Sequence, residues 1–536
     1  AEKGRTPANA KLLVELAESL SDTSRPAKDR LALAETPAVL KAVLAQPIRS
    51  LVTLSDEYLI SCERELAGSG AWYEFFPRSE GATFDSKSKT WTSGNFKTAT
   101  KRLPAVADMG FDILYMPPIH PIGVAYRKGP NNTLTAGPQD PGSPWAIGSS
   151  AGGHDAIHPD LGTEKDFAAF VKKANELGLE IAMDLALQAS PDHPWVKSNP
   201  EWFTTRADGT IAYAENPPKK YQDIYPINFD NDPEGIHFEV LRVVKLWISR
   251  GVKIFRVDNP HTKPVAFWEW LIGEINREFP DVIFLAEAFT RPSMMHALGK
   301  VGFQQSYTYF TWRNTKQELE SYLTELVHDS ADFFRPNFWV STPDILTEYL
   351  QFGGPAAHKI RAVLASMCTP NWGMYAGYEL CESVARPGAE EHIDSEKFEY
   401  RPRDWDAAKK GGRSIADFIT QLNEIREVHP AVRQLRNLEL QHTDDSAIMA
   451  FSKRLAGEHT DSGKTDTILV VVNVDPHAVR ETMVRLNLEK LGLPAGSRFE
   501  VKDLLSGEKY EWSSDNYVRL DPFTQPAHIF QIGKVL

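Results

Sequence analysis

The feature that most constrains the fold is a repeated alternation of short apolar segments with amphipathic ones. Eight stretches have the composition of strands: WYEFFP, FDILYMPP, LEIAMDLALQ, VKIFRVDN, VIFLAEAF, FQQSYTYF, NFWVSTPDI and NWGMYAG. Helical periodicity separates most of them, as in EKDFAAFVKKANELG and HFEVLRVVKLWISRG. Eight strand–helix repeats over roughly 360 residues predict an α/β fold of the closed (β/α)₈ TIM barrel type.

The segments outside this alternation predict three further parts. Residues 1–70 carry apolar residues at helical spacing, for example in LSDEYLISCERELA, and predict a helical N-terminal segment. Residues 189–237 are rich in polar, proline and aromatic residues and are long for a barrel loop, which predicts an inserted domain B. The barrel would then occupy 71–188 and 238–435. Short strands with turns between them, such as DTILVVVNV, predict a C-terminal β-sandwich over 436–536.

Composition and charge exclude several classes of partner. The 536 residues carry a net charge of −13, which argues against nucleic acid and anionic membranes as main partners. No apolar run reaches the ~18 residues that a membrane helix needs. Cys62, Cys368 and Cys381 have neither the spacing of a disulfide scaffold nor that of a zinc site. We therefore expect a cytoplasmic protein that needs no metal and no other cofactor.

Four carboxylates and one arginine lie at the ends of predicted barrel strands. Asp184 is late in the third strand, Arg256 and Asp258 end the fourth, Glu287 ends the fifth and Asp344 ends the seventh. Because the carboxyl ends of barrel strands meet at one rim, we expect these side chains to converge there. A single acid at a strand end is more often a helix cap or a surface charge. Four such acids in one barrel favour a site.

Converging carboxylates without a metal motif favour glycoside chemistry. A retaining enzyme needs a carboxylate nucleophile and a carboxylic acid that lie ~5–5.5 Å apart. The apolar residues of LAEAF predict a raised pKa for Glu287, which suits the acid. Arg256 beside Asp258 suits an ionised nucleophile.

FRVDN, AEAF and TPD resemble regions two, three and four of glycoside hydrolase family 13, the α-amylase clan. The resemblance extends from about residue 72 to the C-terminus. It implies that Asp258 is the nucleophile, Glu287 the acid/base and Asp344 the transition-state stabiliser. Asp184 and Arg256 match the remaining acid and arginine of the family. DLALQAS and STPD lack two histidines that commonly bind sugar hydroxyls in the family, so the sugar must be held differently or carry another leaving group.

Several segments are also similar to one subfamily of this clan, the bacterial α-1,4-glucan:maltose-1-phosphate maltosyltransferases. These segments are PGSPWAIGS, YRKGPNN, DLALQ, ENPPKKYQDIYP, FRVDNPHTKP and SEKFEYRPRDW. The resemblance implies maltose 1-phosphate as donor and the non-reducing 4-OH end of an α-1,4-glucan as acceptor, with release of phosphate. It implies donor contacts at Lys128, Gln188, Asp223, Asn259, Asn216, Lys219, Tyr221 and Lys397. Phe398 follows Lys397 where the subfamily commonly has Tyr.

The lysines and amides of this set are groups that bind phosphate, although a solvated lysine loop is an alternative for Lys219 and Lys220. An amylase-clan hydrolase of maltooligosaccharides or trehalose-type sugars also stays open, as does a non-catalytic carbohydrate-binding member. The lysine loop disfavours the first, and the three retained acids disfavour the second. A homodimer stays open as well, because the subfamily dimerises through an N-terminal β-sandwich and only a helical segment precedes the barrel here.

Overall fold

A computed structural model describes residues 6–45, 47, 52–58, 60–216 and 219–536. The chain divides into two compact units, residues 1–62 and 63–536. Within its described residues the first unit has the helices α1 (Pro7–Ser21), α2 (Ala27–Ala32) and α3 (Pro37–Ala45). The Thr6 hydroxyl caps α1, and proline occupies the first turn of α1 and of α3, where its missing N–H costs no hydrogen bond.

The prediction of a helix from the spacing of LSDEYLISCERELA is largely wrong. Residues 54–58 and 60–64 have no regular secondary structure, and only Glu65–Gly68 (α4) is helical. Residues 52–58 are exposed, and a short helix without a packed face is marginal in water. Helical spacing alone therefore did not make a helix here.

Residues 63–70, predicted with the N-terminal segment, lie in the second unit. The Gln305 side-chain amide donates to the carbonyls of Leu66 and Ala67 at 3.2 and 3.1 Å, and the Arg64 guanidinium donates to Glu180. Both contacts lie at the amino ends of barrel strands. Helix α4 therefore covers the end of the barrel at which the strands begin.

The second unit contains the predicted barrel. Its eight parallel strands are β1 (Gly70–Glu74), β2 (Ile113–Met116), β3 (Glu180–Leu185), β4 (Ile254–Asp258), β5 (Ile283–Glu287), β6 (Gln305–Ser306), β7 (Asn337–Trp339) and β8 (Asn371–Tyr375). The sheet order is β6-β5-β4-β3-β2-β1-β8-β7. A parallel bridge between Ser306 and Pro336 joins the two edges, so the sheet closes. Each predicted strand overlaps one of these eight.

Helices surround this sheet where the periodicity predicts them. The helices after α4 are α5 (Phe96–Ala99), α6 (Leu103–Asp108), α7 (Glu164–Glu176), α8 (Pro194–Ser198), α9 (Pro233–Ser249), α10 (Val265–Glu278), α11 (Pro292–Lys300), α12 (Lys316–Thr324), α13 (Glu348–Cys368), α14 (Trp405–Lys410) and α15 (Ala416–Val428). Capping boxes begin α7 at Thr163 and α12 at Thr315. None of the helices in the described ranges is long and apolar enough to cross a membrane.

The inside of the barrel is filled in layers. Trp72, Ile113, Tyr115, Ala182, Ile254, Ile283, Leu285, Tyr307 and Trp339 form one buried apolar cluster. The rings of Tyr307 and Trp339 stack at 5.0 Å, and a side chain at Gly373 would collide with Trp339. This packed layer closes the inside of the barrel, so ligands reach the barrel at the carboxyl ends of the strands.

The segment between β3 and α9 corresponds to the predicted domain B. Gln188–Ala189 pairs with Tyr225–Pro226, and Ala214–Asn216 pairs with Lys219–Tyr221 in a hairpin. A second hairpin, Thr83–Asp85 with Thr90–Thr92, follows β1.

The C-terminal part is antiparallel, as predicted. Its strands are β9 (Leu438–Thr443), β10 (Ile448–Leu455), β11 (Asp466–Asn473), β12 (Arg480–Arg485), β13 (Phe499–Asp503), β14 (Lys509–Trp512), β15 (Asp515–Leu520) and β16 (Ala527–Val535). The order is β14-β13-β16-β11-β10-β9-β12-β15. Strand β9 pairs with β10 through its first residues and with β12 through its last two. It therefore links two halves of the sheet, the strands from β14 to β10 on one side and β12 with β15 on the other. Both halves bury one apolar cluster that includes Leu469, Val484 and Phe530.

Candidate active site

Arg256 is the centre of the site, because β4 directs its side chain into the barrel among three carboxylates. Its Nη1 donates to Asp184 at 2.9 Å and to Asp258 at 2.8 Å, and its Nη2 lies 3.3 Å from Glu287 Oε1. Asp258 lies directly opposite Glu287 on the neighbouring strand. Since adjacent strands are about 4.8 Å apart, this register suits the spacing of a retaining carboxylate pair.

Asp184 is fully buried and holds Arg256 in place. Besides the guanidinium, it accepts hydrogen bonds from the Tyr115 hydroxyl at 2.6 Å and from Trp145 Nε1 at 3.3 Å. Three donors aimed at one carboxylate fix its orientation. Sequence reasoning missed Tyr115, although it shares the inward face of its strand with Ile113.

Asn259 connects the two reactive carboxylates. Its backbone is left-handed (φ 44°), a conformation in which Asn is favoured over most residues, so its N–H points at Glu287 Oε2, 3.2 Å away. Its side-chain amide donates to Asp258 Oδ2 at 3.4 Å. The left-handed turn is therefore a local reason for Asn directly after Asp258.

The environment of Glu287 suits an acid/base. Burial raises the pKa of its carboxyl to about 7; Arg256 opposes this rise, and the carboxylates of Asp258 and Asp344 add to it. A carboxyl with a pKa near neutrality can give a proton and take it back at physiological pH.

Asp344 pairs with Lys397 across the rim. The Lys397 amine donates to both carboxylate oxygens, at 2.8 and 3.0 Å, and lies 4.9 Å from the centre of the Trp145 ring. Burial lowers the pKa of this amine, but Asp344 outweighs burial and the net shift is upward. The backbone N–H of Asp344 donates to the Thr342 hydroxyl at 3.2 Å, which gives the Thr of STPD a structural role.

Lys128 and Asp223 form a second polar group beside Lys397. Both are 2% exposed, and the Lys128 amine donates to Gln222 Oε1 at 2.6 Å. Burial raises the pKa of Asp223, whereas Lys128 and Lys397 lower it, so both lysines lie within electrostatic reach of this carboxyl. The predicted contact Gln188 is nearby, and its amide donates to the Trp145 carbonyl at 3.2 Å.

The remaining predicted donor contacts lie on the hairpin of domain B. Asn216 and Lys219 face each other across its turn, and Tyr221 pairs with Ala214. Tyr221 is half-buried and within electrostatic reach of Lys397. The side chains of Asn216 and Lys219 lie outside the described parts of the chain, so their role stays a prediction.

Two charged residues near the carboxylates escaped the sequence reasoning. Glu74 ends β1 and is 2% exposed, and burial raises its pKa. Lys263 donates to the Thr262 hydroxyl at 2.9 Å and to the Asn259 carbonyl at 3.4 Å; burial lowers its pKa, while Asp258 and Glu287 oppose that shift. Glu74 lies in the middle of the predicted strand WYEFFP and ends the strand only in the structure, so the strand-end rule that found Glu287 did not find it.

Among the residues that the structure describes, no group of three or more His, Cys, Asp or Glu side chains could hold a metal ion. His120, His154 and His193 are instead buried, and each lies within hydrogen-bond distance of another of these rings or of backbone. His154 Nδ1 lies 3.0 Å from His193 Nε2, and burial lowers the pKa of both rings to about 3. They support the backbone of Ala186, just before Gln188, through His154 Nε2 at 2.8 Å.

Comparisons with known proteins agree with this geometry. A family model described as GLGE, C-terminal, matches residues 440–532. An α-1,4-glucan:maltose-1-phosphate maltosyltransferase of Streptomyces coelicolor is 57% identical over 518 residues, which cover 96% of this chain and 75% of that protein. The chain belongs to the α-1,4-glucan:maltose-1-phosphate maltosyltransferase family.

Other members of this maltosyltransferase family are similarly close. The protein from Arcanobacterium haemolyticum is 57% identical over 95% of this chain and 74% of its own length. The protein from Mycobacterium tuberculosis (strain ATCC 25618 / H37Rv) is 52% identical over 94% of this chain and 71% of its own length. The chain thus spans about three quarters of the length of these maltosyltransferases.

Solved structures with the same fold are less similar to this chain in sequence. An α-amylase from Lactobacillus plantarum superposes with a TM-score of 0.65 at 21% identity, over 87% of this chain and all of that one. A maltogenic α-amylase from Thermotoga neapolitana gives a TM-score of 0.64 at 19% identity, over 88% of this chain and 100% of its own. These comparisons confirm the α-amylase-like fold of this chain.

Proposed function

We propose that this chain transfers maltosyl units from α-maltose 1-phosphate to the non-reducing 4-OH end of an α-1,4-glucan and releases phosphate. The observation that carries the proposal is the pairing of Asp258 with Glu287 across adjacent strands, under one guanidinium, in a chain of this family. This pairing supplies the two carboxylates of a retaining mechanism.

The chemistry is a double displacement. Asp258 attacks the anomeric carbon and forms a β-maltosyl ester, while Glu287 gives its proton to the departing phosphate oxygen. Glu287, now ionised, takes the proton of the acceptor 4-hydroxyl, which displaces Asp258 and restores the α configuration. A pKa of about 7 lets the same carboxyl serve in both steps at neutral pH.

The proposed donor contacts divide into two groups. Asn259 faces the acid Glu287, so we assign Asn259 to the side on which phosphate leaves. Lys128, Gln188, Asp223 and Lys397 lie on the side of Asp344 and Trp145. We assign this second group to sugar hydroxyls, so for Lys128 and Lys397 this proposal replaces the phosphate contact expected from the sequence.

This assignment is tested with Lys128→Ala. Binding to the variant should weaken by a similar factor for maltose 1-phosphate and for maltose, because both carry the same sugar. A much larger loss for the phosphorylated ligand, measured by calorimetry, would instead place the phosphate at Lys128. Lys197, on α8 and outside this group, provides a matched Lys→Ala control.

The function itself is tested by phosphate release from maltose 1-phosphate, with and without maltohexaose. We expect release that requires the acceptor and products that grow by two glucose units, read by mass spectrometry. Maltohexaose that shortens in water, without phosphate release, would identify a hydrolase instead.

We also propose a cytoplasmic location and a homodimer. The spacing of the cysteines supports the first, and the family resemblance supports the second. Light scattering over a range of concentrations would test the dimer directly.

A further inference from the structure

Two loops that are distant in sequence meet at the rim of the donor site. The first, residues 123–133, carries Lys128, and the second, residues 384–398, carries Lys397. The Lys128 amine donates a hydrogen bond to Gln222, and the Lys397 amine donates one to Asp344. The relative position of the two amines therefore depends on how the loops are joined.

The junction consists of contacts to Asn131. Its side-chain amide donates to Asp394 Oδ1 at 2.9 Å, and its side-chain oxygen accepts from the Asp394 backbone N–H at 2.9 Å. The Arg386 guanidinium donates to the Asn131 carbonyl at 3.1 Å and is paired with Glu391 at 2.8 Å. The two reciprocal bonds of Asn131 and Asp394 define what we call the clasp.

Backbone conformation favours these two residue types in the clasp. Asn131 and Asp394 are both left-handed, each with a φ of 51°. Asn and Asp tolerate this region because their short polar side chains can bond nearby backbone, whereas most residues are strained there. The conformation aims each side chain at the other residue.

The second loop is tied in turn to the segment that carries Asp344. Residues 384–393 form a small hairpin with a bridge between Ala385 and His392. The Leu346 backbone N–H donates to the Glu390 carbonyl at 2.7 Å, and Trp312 Nε1 donates to the Glu390 carboxylate at 3.1 Å. The clasp thus connects the Lys128 loop to the catalytic loop after β7.

We propose that Asn131 and Asp394 are positioning residues that hold Lys128 and Lys397 at the separation which the donor sugar requires. The proposal rests on the proposed function, since it concerns the same donor site. A preset pair of amines binds a sugar without the entropic cost of ordering two loops. Because Asp394 is exposed, the clasp contributes little to folding, so its main effect is on binding.

The test is an exchange of the two side chains. Asn131→Asp places two carboxylates face to face and removes the side-chain donor, so KM for maltose 1-phosphate should rise about tenfold. KM for maltohexaose and the melting temperature should stay near wild type. Asp394→Asn keeps an acceptor oxygen and the backbone N–H, so it should change KM little.

The double variant Asn131→Asp/Asp394→Asn restores both bonds: the backbone N–H of residue 394 still donates to the side chain at 131, and the side-chain bond re-forms with its donor and acceptor exchanged. Its KM for the donor should return to within about twofold of wild type, which a general loss of structure would not allow. The proposed role of the clasp is contradicted if Asn131→Asp leaves KM for maltose 1-phosphate unchanged. It is also contradicted if this KM is no lower in the double variant than in Asn131→Asp.

Failure of the proposed function would be seen separately. If wild type releases no phosphate from maltose 1-phosphate, the function is wrong, and the four proteins are then titrated with maltose by calorimetry. The clasp predicts weakened maltose binding in Asn131→Asp alone. Equal maltose affinities in all four proteins would overturn the clasp as well.

Discussion

Two buried cationic clusters lie at opposite ends of the barrel, and their partners differ. At the carboxyl ends of the strands, Arg256 is bonded to the carboxylates of Asp184 and Asp258. At the amino ends, Arg426 donates to the carbonyls of Ser366, Thr369 and Pro370. Both guanidiniums are nearly inaccessible to solvent, so both must be paired within the protein.

The difference in partners separates a reactive cluster from a structural one. Backbone carbonyls have fixed dipoles that cannot exchange protons at physiological pH. Carboxylates can, and burial, with a contribution from the neighbouring carboxylates and against the effect of Arg256, raises the pKa of Glu287 to about 7. Burial of charge thus serves chemistry at one end of the barrel, and at the other it holds α15 to the end of α13 and the turn before β8.

The largest expected effect is the loss of the nucleophile. Asp258→Ala should reduce turnover of maltose 1-phosphate by at least about 10⁴-fold, because no covalent intermediate can form. Glucan binding, measured by calorimetry, should persist. Asp230→Ala, an exposed aspartate of domain B, is the matched control. Activity of Asp258→Ala near that of the control would remove the assignment.

A smaller and more selective loss is expected at the acid/base. Glu287→Ala should lower turnover of maltose 1-phosphate by about 10²–10⁴-fold, because the phosphate then leaves unprotonated. Maltosyl fluoride needs no protonation to leave, so the variant should still form a maltosyl-enzyme detectable by intact mass. Absence of that adduct would count against Glu287 as the acid.

The pH dependence of the wild-type enzyme sharpens the same assignment. Burial raises the pKa of Glu287, so its acid form persists to about pH 7 and is lost above it. The rate of maltosyl-enzyme formation from maltose 1-phosphate should therefore fall as pH rises through 7. With maltosyl fluoride this alkaline fall should be absent, and a fall of equal size with both donors would assign it to another group.

An Arg→Lys substitution at each end of the barrel tests the contrast between the reactive cluster and the structural one. Arg256→Lys cannot bridge Asp184, Asp258 and Glu287 at once, so activity should fall by about 10²-fold or more, with a smaller effect on melting. Arg426→Lys loses carbonyl bonds and should lower the free energy of unfolding by about 1–3 kcal/mol with near-normal kcat. Similar losses of both activity and stability in the two variants would remove the distinction.

The sequence predicts the barrel and the acids that meet at its rim because both depend on local patterns. The strand–helix alternation identifies all eight strands, and the strand-end rule identifies Asp184, Asp258, Glu287 and Asp344. The helix expected in LSDEYLISCERELA fails because helical spacing does not show whether a packed partner exists. The resemblance suggests Lys128 and Lys397, but no local pattern reveals that Asn131 and Asp394, 263 positions apart, would join their loops.

The smallest expected effect concerns Lys453, which lies beside Arg426 and donates to the carbonyls of Cys368 and Val432 at 3.2 and 3.0 Å. Burial lowers the pKa of its amine to about 7. Below pH 7 the amine is protonated in both the folded and the unfolded chain. Between pH 7 and about 10 only the unfolded chain holds this proton, so the stability of the wild type relative to Lys453→Met should rise with pH.

Thermal melting of wild type and Lys453→Met at pH 6, 7, 8 and 9 measures this difference. Both proteins should have similar activity at pH 7, since Lys453 is at the end of the barrel away from the carboxylates. A gap in melting temperature that stays constant from pH 6 to 9 would mean that the buried amine keeps its proton throughout. Lys453 would then be a permanently charged donor to the carbonyls of Cys368 and Val432.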